Sequence, residues 1–374
     1  MRNLVVLLGV PIDNLNFEET LERIDHFVQA GRRMRSFHQV ATVNTDFLVK
    51  AAEDPELRRL LQSVHLATPD GMPLIWASRL LGNPLRERVA GADLVPALAK
   101  QAAEKGYSIY LFGAGPGIAQ KAAQVLQQRY PGLVIAGIAS PPYTPIHNMD
   151  RSELDDIRAA NPDILLVALG NPKQEKWIEM YGRQVNVPVI MGVGGSLDFI
   201  AGNIKRAPLW MQKSGFEWLY RILQEPRRLW RRYVIDLFVF TDLFVRQWWH
   251  MRGAKHASRN RPGVELILAS GKALLNIRGK IGVENTEEIK KMGRQALAVT
   301  PEIEVDLSGA DFVDSVGAGV LVDLANQANE IGGKLTLVSV SPKIRQNLTA
   351  LGLDTFFRIK TDGNAQSDAK PLIA

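Results

Sequence analysis

Polar residues that could carry out acid–base chemistry follow two predicted β-strands of this 374-residue chain. Thr42 and Asn44 follow one strand, and Asp70 follows another within the sequence Thr-Pro-Asp-Gly-Met. The proline before Asp70 and the glycine after it constrain the turn and leave space around the carboxylate, which suits a general base. The alternative interpretation is that Asp70 only caps the helix predicted to begin near Pro73.

Glycine-rich loops follow further predicted strands, and the first of them is a candidate for binding phosphate. They occupy residues 112–117 (FGAGPG), 170–175 (GNPKQE) and 192–198 (GVGGSLD). Backbone N–H groups at such strand–helix junctions can bind phosphate oxygens. A nicotinamide enzyme is disfavoured, because the strand predicted after the first loop is followed by Ala139 and Ser140 rather than by the acidic residue that binds ribose.

These loops are predicted to share one edge of a parallel sheet, because strand-like and helical segments alternate from residue 1 to about residue 205. The strand-like runs are 5–10, 39–43, 108–112, 133–138, 164–169 and 187–193, with helix-length segments such as 118–130 and 172–184 between most of them. This order predicts a Rossmann-like, mostly parallel α/β fold, whose ligands bind at the carboxyl ends of the strands.

Residues 206–252 form a basic, aromatic appendage that is predicted to be helical, with apolar side chains at helical spacing from Trp230 to Trp248. Between residues 221 and 261 the chain has ten Lys and Arg against three acids, so this segment carries the entire net charge of +6. We expect residues 226–249 to lie on a membrane surface, with the arginines near anionic headgroups. The alternative is a helix that docks on the preceding domain and has a solvated basic face.

Composition argues against several other classes of protein. The chain has no cysteine, which excludes a disulfide scaffold, a zinc ribbon, an iron–sulfur site and a thiol nucleophile. The short N-terminal apolar run does not resemble a secretory signal, and no uncharged stretch reaches the ~20 residues that cross a bilayer. Localised positive charge disfavours a nucleic-acid-binding surface. The first 250 residues lack an Asp-x-Asp sequence, so we predict no metal site and no cofactor.

The remaining sequence predicts a second domain. Residues 253–263 are polar, contain glycine and proline, and are predicted to be a linker. Residues 264–366 begin with a predicted hairpin that turns at 270–272 and then alternate helices and strands, which indicates a small α/β domain. Residues 367–374 are predicted to be a tail.

The first region contains, in this order, the motifs TPDGMP, RVAGADL, LFGAGPG, LGNPKQEKWI and GVGGSLDFIAGNIKRAP. Together they resemble the WecG/TagA/CpsF bacterial glycosyltransferases over about residues 4–235. The resemblance implies transfer of a sugar from a UDP-sugar to a glycan on a polyprenyl diphosphate in the cytoplasmic leaflet, with inversion of the anomeric centre.

The resemblance also implies roles for individual residues. Asp70 would deprotonate the acceptor hydroxyl, with Thr42 and Asn44 beside it. The donor-binding residues would be Arg88, Gln174 and Asp198, together with Gly113, Gly115 and Gly194 of the glycine-rich loops. The residues that bind the lipid diphosphate would be Arg221, Arg228 and Arg231.

The second domain contains EVDLSGADFVDSVGAG at residues 304–319, followed by GGKLTLVSVSP and LTALGLDTFF. These sequences resemble the STAS domains of anti-sigma factor antagonists. The resemblance implies that Ser315 is phosphorylated, with a serine kinase or an anti-sigma factor as partner. We expect Ser315 to be exposed at the start of a helix near Gly317, and the alternative is that it only caps this helix.

Two functions remain open at this stage. In the first, the chain is a cytoplasmic glycosyltransferase, peripheral on the inner face of the plasma membrane, that builds a cell-surface polysaccharide or exopolysaccharide under regulation by its STAS domain. In the second, it is a catalytically silent signalling scaffold that acts through the STAS domain and phosphorylated Ser315. The first is favoured by the presence of the predicted site residues Thr42, Asn44, Asp70, Gln174 and Asp198.

Overall fold

The computed structural model describes residues 1–142, 144–254, 261–269 and 272–360. The chain folds into two compact units, one formed by Asn3–Trp248 and the other by Met1–Arg2 together with Trp249–Ala374. Within the described ranges, no helix combines the length and the apolar character needed to cross a bilayer.

The first unit is built on a parallel sheet. Its strands are β3 (His38–Val43), β4 (Leu66–Pro69), β5 (Ser108–Gly113), β6 (Val134–Ala139), β7 (Ile164–Ala168) and β8 (Val189–Gly192). They lie in the order β4-β3-β8-β7-β5-β6, and each pair is parallel. Every residue of β7 is buried, as expected for a strand covered on both faces. The predicted Rossmann-like parallel sheet is therefore confirmed.

The predicted strand at residues 5–10 is wrong. The chain forms an antiparallel hairpin of β1 (Leu4–Leu7) and β2 (Val10–Asp13), separate from the parallel sheet. Leu8 and Gly9 have φ angles of 49° and 85°, the left-handed region that a two-residue hairpin turn requires. Both strands are fully buried, so the apolar run gave no sign of the reversal.

Helices cover both faces of the sheet. They are α1 (Phe17–Met34), α2 (Thr45–Glu53), α3 (Pro55–Ser63), α4 (Met72–Leu80), α5 (Gly91–Lys105), α6 (Ile118–Arg129), α7 (Ser152–Ala160), α8 (Lys173–Val185) and α9 (Ser196–Ile200), with a short 3₁₀ turn at Ile146–Asn148. Alternate residues of β5 and β7 enter two apolar clusters. One cluster includes side chains of α1, α5, α6 and α9, and the other includes side chains of α7 and α8.

The appendage consists of α10 (Leu209–Ser214), α11 (Glu217–Gln224) and α12 (Pro226–Ala254). One side of α12 packs against the first unit, where Phe240 and Phe244 are buried and Gln247 bonds to the backbone of β1 and Leu8. Another side exposes large apolar residues, including Trp230 and Phe238. The alternative of a helix docked on the preceding domain is thus observed for one side of α12.

The second unit contains an α/β domain, as predicted. Its strands are β9 (Gly263–Ala269), β10 (Lys272–Ile281), β11 (Glu302–Asp306), β12 (Ala310–Val313), β13 (Lys334–Val338) and β14 (Arg358–Lys360), and its helices are α13 (Thr286–Val299), α14 (Ser315–Glu330) and α15 (Pro342–Ala350). The strand order is β12-β10-β11-β13-β14, and β9 pairs antiparallel with β10. Residues 255–260 of the predicted linker, 270–271 of the predicted turn and 361–374 lie outside the described residues.

Candidate active site

Asp70 lies directly after β4, at the carboxyl edge of the parallel sheet. Its backbone N–H donates to Val43 O at 2.7 Å, and its Oδ2 accepts from the Gly91 N–H at 3.2 Å. Gly91 is the first residue of α5, so the carboxylate faces the positive end of a helix dipole. Helix α4 begins at Met72 without a side-chain cap, which rules out the alternative that Asp70 caps it.

The environment of Asp70 makes its carboxylate a stronger base than an exposed one. Burial raises the pKa of Asp70 to about 6, while the Arg88 guanidinium and the Gly91 N–H act in the opposite direction. The negative charges of Glu217 and Asp93 also contribute to the increase, and a pKa of about 6 is the net result of all these effects. A carboxylate with this pKa is largely ionised at neutral pH and can accept a proton from a hydroxyl group in a transition state.

Thr42 lies close to Gly91, the residue whose N–H donates to the Asp70 carboxylate. A Cβ on Gly91 would lie 3.3 Å from Thr42 Oγ1 and 3.1 Å from Ser196 Oγ, so two hydroxyl groups lie against this glycine. Asn44 caps α2, and its side chain accepts from the Phe47 N–H at 3.2 Å. The structure therefore brings Thr42 to the Gly91–Asp70 contact. The Asn44 side chain instead caps α2, at the same edge of the parallel sheet.

Gln174 and Glu175 form a buried pair that holds the loop after β8. Gln174 Oε1 accepts from the Gly194 N–H at 3.0 Å, and Gln174 Nε2 donates to Glu175 Oε1 at 2.7 Å. A Cβ on Gly192 would lie 2.6 Å from Gln174 Nε2, so the pair requires glycine there. Burial raises the pKa of Glu175 to about 8. Glu175 is not among the site residues predicted from the sequence, although it belongs to the LGNPKQEKWI motif.

Gly113 and Gly115 lie far from Asp70. Strand β5 is four strand positions from β4, roughly 19 Å at ~4.8 Å per strand. A Cβ on Gly113 would lie 2.6 Å from Ala168 O, so close packing against β7 already requires glycine at this position. The structure thus separates this glycine-rich loop from Asp70 and gives Gly113 a packing role.

Arg88 belongs to an ion-pair network beside Asp70. Its Nη1 lies 3.2 Å from Glu217 Oε2, and its Nη2 lies 3.3 Å from Asp93 Oδ2. Arg206 pairs with both oxygens of Asp93, and its Nε lies 3.6 Å from Glu217 Oε1. Of these four residues, only Arg88 is predicted from the sequence to belong to the site. Asp93 and Arg206 lie within the RVAGADL and GNIKRAP motifs, whereas no motif signalled Glu217.

The three arginines predicted to bind the lipid diphosphate differ in their positions. The Arg221 guanidinium lies 5.1 Å from the centre of the Phe199 ring, and its Nε is buried without a hydrogen-bond partner among the described residues. A Cβ on Gly195 would lie 3.9 Å from both Arg221 Nη2 and Asp198 Oδ2, so Arg221 reaches the loop after β8. Arg231 is exposed on α12, and the side chain of Arg228 lies outside the described residues.

The arrangement of ionisable groups also bears on metal binding. Among residues 1–142, 144–254, 261–269 and 272–360, no group of three or more His, Asp or Glu side chains has the geometry to hold a metal ion. The cationic groups around Asp70 and the loop after β8 are guanidinium groups. Such groups bind phosphate oxygens in bidentate fashion.

Ser315 differs from both sequence-based interpretations. It is the first residue of α14 and is fully buried, and its Oγ has no hydrogen-bond partner in the described structure. Asp314 is the N-cap, since its Oδ1 accepts from the N–H groups of Val316 and Gly317 at 3.0 and 2.9 Å. The expectation of an exposed Ser315 is therefore wrong, and so is the alternative of a Ser315 cap. Helix α14 begins two residues earlier than predicted.

The burial of Ser315 has a measurable consequence for stability. We expect Ser315→Asp to lower the free energy of unfolding of the second unit by about 2–4 kcal/mol, because it buries a carboxylate where a small hydroxyl lay. Ser315→Ala is expected to leave stability equal or higher, because it removes a buried hydroxyl that has no partner. Thermal unfolding of both variants followed by circular dichroism checks this. Equal unfolding temperatures for the two variants would contradict the buried position.

Two family models match the chain. The model described as "Glycosyl transferase WecG/TagA/CpsF family" matches residues 5–254, and the model described as "STAS domain" matches residues 262–365. The first match covers about two thirds of the chain and includes the sheet, the strand-end residues and the appendage. The second match covers the α/β domain of the second unit.

Three curated proteins that are similar to this chain share one name, N-acetylglucosaminyldiphosphoundecaprenol N-acetyl-beta-D-mannosaminyltransferase. The protein from Bacillus subtilis (strain 168) is 37% identical over 205 residues, which is 54% of this chain and 78% of that protein. The protein from Bacillus spizizenii is 33% identical over 225 residues, or 59% of this chain and 85% of that protein. The protein from Staphylococcus aureus (strain MW2) is 32% identical over 242 residues, or 63% and 91%.

Solved structures also match part of the chain. The Bacillus cell fate determinant SpoIIAA in its phosphorylated form is 18% identical and covers 27% of this chain and 93% of its own, with a TM-score of 0.23. An anti-sigma factor antagonist from Mycobacterium paratuberculosis is 20% identical and covers 28% of this chain and 88% of its own, with a TM-score of 0.25. At these TM-scores the likeness carries no functional argument.

Proposed function

We propose a function for this chain on the basis of its family, since it belongs to the WecG/TagA/CpsF glycosyltransferases. The chain would transfer a sugar from a UDP-sugar to a polyprenyl-diphosphate-linked glycan, with Asp70 as general base. The names of the curated relatives specify N-acetylglucosaminyl diphosphoundecaprenol as acceptor and N-acetylmannosamine as the sugar transferred. UDP-N-acetylmannosamine and this acceptor are therefore the first substrate pair to test.

The observation that carries the proposal is the position of Asp70. Its carboxylate lies at the carboxyl edge of a parallel sheet, where ligands of such folds bind, and it receives a hydrogen bond from Gly91. Burial gives Asp70 a pKa of about 6, which suits proton transfer near neutral pH. The Arg88 and Arg206 guanidinium groups act on it from a network in which Asp93 and Glu217 balance their charge.

The proposed reaction is a single displacement. Asp70 accepts the proton of the acceptor hydroxyl as the hydroxyl oxygen attacks C1 of the sugar from the face opposite UDP. A C1–O bond to the acceptor forms, the C1–O bond to the diphosphate breaks, and UDP leaves with the bonding electron pair. Guanidinium groups at the donor, rather than a divalent cation, would stabilise the negative charge that develops on UDP. Because the sugar in UDP-N-acetylhexosamines is α-linked, the product would be β-linked.

The appendage supports action at a membrane surface. Trp230 and Phe238 expose 51% and 73% of their area on α12, a helix whose first turns also contain several arginines. An exposed apolar side next to cationic residues favours binding to anionic lipid headgroups. Residues 226–249 would thus bring the active site to the acceptor lipid, on the inner face of the plasma membrane, for synthesis of a cell-surface polysaccharide or exopolysaccharide. The STAS domain would regulate this activity through a kinase or an anti-sigma factor partner.

The test is a transfer assay with the full chain, anionic lipid vesicles, N-acetylglucosaminyl diphosphoundecaprenol and a panel of UDP-sugars, with and without EDTA. We expect a disaccharide–lipid product whose new linkage is β by NMR, at a rate that EDTA leaves unchanged. Absence of transfer with every UDP-sugar, in the presence of lipid and with the acceptor glycan varied, would contradict the proposal and favour the signalling-scaffold alternative.

A further inference from the structure

Four charged residues from separate parts of the first unit meet beside Asp70. Arg88 precedes α5 and Asp93 lies in its first turn, Arg206 follows α9, and Glu217 is the first residue of α11 in the appendage. Arg88 and Arg206 each contact both acids, so the network consists of two cations and two anions. Its formal net charge is zero.

We propose that Glu217, together with Asp93, is a positioning residue that pairs with Arg88 and Arg206 and neutralises their positive charge beside the catalytic base Asp70. The role of Glu217 in sugar transfer rests on the function proposed above. Its role in setting the charge around Asp70 can be measured without any substrate.

The geometry supports a positioning role for Glu217 because each of its two carboxylate oxygens pairs with a different arginine. Oε2 lies 3.2 Å from Arg88 Nη1, and Oε1 lies 3.6 Å from Arg206 Nε. The side chains of Glu217, Arg88 and Arg206 are only 20%, 17% and 24% exposed, so these pairs are less screened by water than surface pairs are. Without Glu217, two like-charged guanidinium groups would share Asp93 alone.

The location of Glu217 links the appendage to the catalytic base. Arg88 and Asp93 are fixed near Asp70 by the segment that leads into α5, since the Val89 N–H donates to Pro69 O at 2.9 Å. Glu217 reaches them from α11, in the same helix as Arg221. The position of the appendage helix therefore determines whether the two arginines next to Asp70 have their second anionic partner.

The charges predict the direction of the effect on the base. The ionisable groups whose charges act on Asp70 are Arg88 from the segment before α5, Asp93 from α5, Glu217 from α11, and Arg206 from the segment after α9. Glu217 raises the pKa of Asp70, and Arg88 lowers it. Removing the Glu217 charge changes the network from neutral to positive, which favours the ionised carboxylate and lowers the Asp70 pKa.

The experiment measures the protonation of Asp70 directly. Full-length protein labelled with ¹³C at the aspartate carboxyl carbons is titrated from pH 4 to 8 by NMR, and the Asp70 signal is the one lost in Asp70→Asn. We expect a midpoint near 6 in the wild type, a midpoint ~0.5–1 unit lower in Glu217→Gln, and a higher midpoint in Arg88→Gln. Glu217→Asp, which keeps the charge, is expected to titrate nearer the wild type. If Glu217→Gln does not fold, Asp93→Asn takes its place with the same expected direction.

Asp242→Asn is the matched control, because it removes the same charge from the appendage but from an exposed residue that pairs with Arg246 on α12. Its Asp70 midpoint is expected to equal that of the wild type. An unchanged or higher midpoint in Glu217→Gln would overturn the inference. In transfer assays at pH 7.5 we expect kcat/KM of Glu217→Gln to be lower by up to about tenfold, because the catalytic base is weaker. Absence of transfer in the wild type would contradict the proposed function, whereas the titration would still test the effect of Glu217 on Asp70.

Discussion

Replacing Asp70 by Asn is expected to lower the kcat of sugar transfer by about 10²–10⁴-fold, the usual contribution of a general base. Asparagine has almost the same shape and can still accept the Gly91 N–H bond, but it cannot take the proton of the acceptor hydroxyl. The KM values for donor and acceptor are expected to change little, because the lost interaction belongs to the transition state. Initial rates at saturating concentrations of both substrates measure the effect.

The control for this prediction is Asp156→Asn. Asp156 is an exposed carboxylate on α7, outside the carboxyl edge of the sheet, and its loss is expected to leave kcat unchanged. Thermal unfolding of Asp70→Asn shows whether the variant is folded. A folded Asp70→Asn protein that retains more than a tenth of the wild-type kcat would exclude Asp70 as the base.

Replacing Arg221 by Gln is expected to lower kcat/KM for the lipid acceptor by about 10–100-fold, the effect of removing a charge-assisted hydrogen bond to a phosphate. The guanidinium is held at the Phe199 ring beside the loop after β8, and its buried Nε has no partner in the described structure. A diphosphate oxygen would provide that partner. Kinetics with the acceptor and the donor varied separately assign the loss to one substrate.

Arg246→Gln serves as the matched control for Arg221, because Arg246 is a 75% exposed arginine of the same appendage, paired with Asp242. We expect it to leave kcat/KM for the acceptor near the wild-type value. A loss in Arg221→Gln that affects only the UDP-sugar would contradict the assignment of Arg221 to the lipid diphosphate. Equal kinetics for the wild type and Arg221→Gln would remove Arg221 from the active site.

The parts of the fold that depend on local pattern could be predicted from the sequence. The alternation of β-branched runs and helical segments is sufficient to predict the parallel sheet. The positions of Thr42 and Asp70 at strand ends follow from that prediction. The prediction of a single strand at residues 5–10 is wrong because a buried strand and a buried hairpin are equally apolar. Only the left-handed φ angles of Leu8 and Gly9, which apolarity does not encode, distinguish the two.

The contacts that depend on distant segments could not be predicted in the same way. Glu217 lies 129 residues from Arg88 and belongs to no motif, so only the fold shows that they pair. Ser315 was expected to be exposed because hydroxyl residues are common at helix starts, but Asp314 provides the cap and Ser315 enters the core. On α12 the apolar spacing predicts one apolar face, whereas apolar residues occur on both its buried and its exposed sides.

The pH dependence of kcat/KM for sugar transfer by the wild-type protein tests most directly whether Asp70 is the catalytic base. Burial places the pKa of Asp70 near 6. Only the ionised carboxylate accepts a proton, so kcat/KM is expected to rise tenfold per pH unit below about pH 6 and to level off above it. A profile that is flat from pH 4.5 to 8, or the same acidic limb in the residual activity of Asp70→Asn, would contradict this assignment.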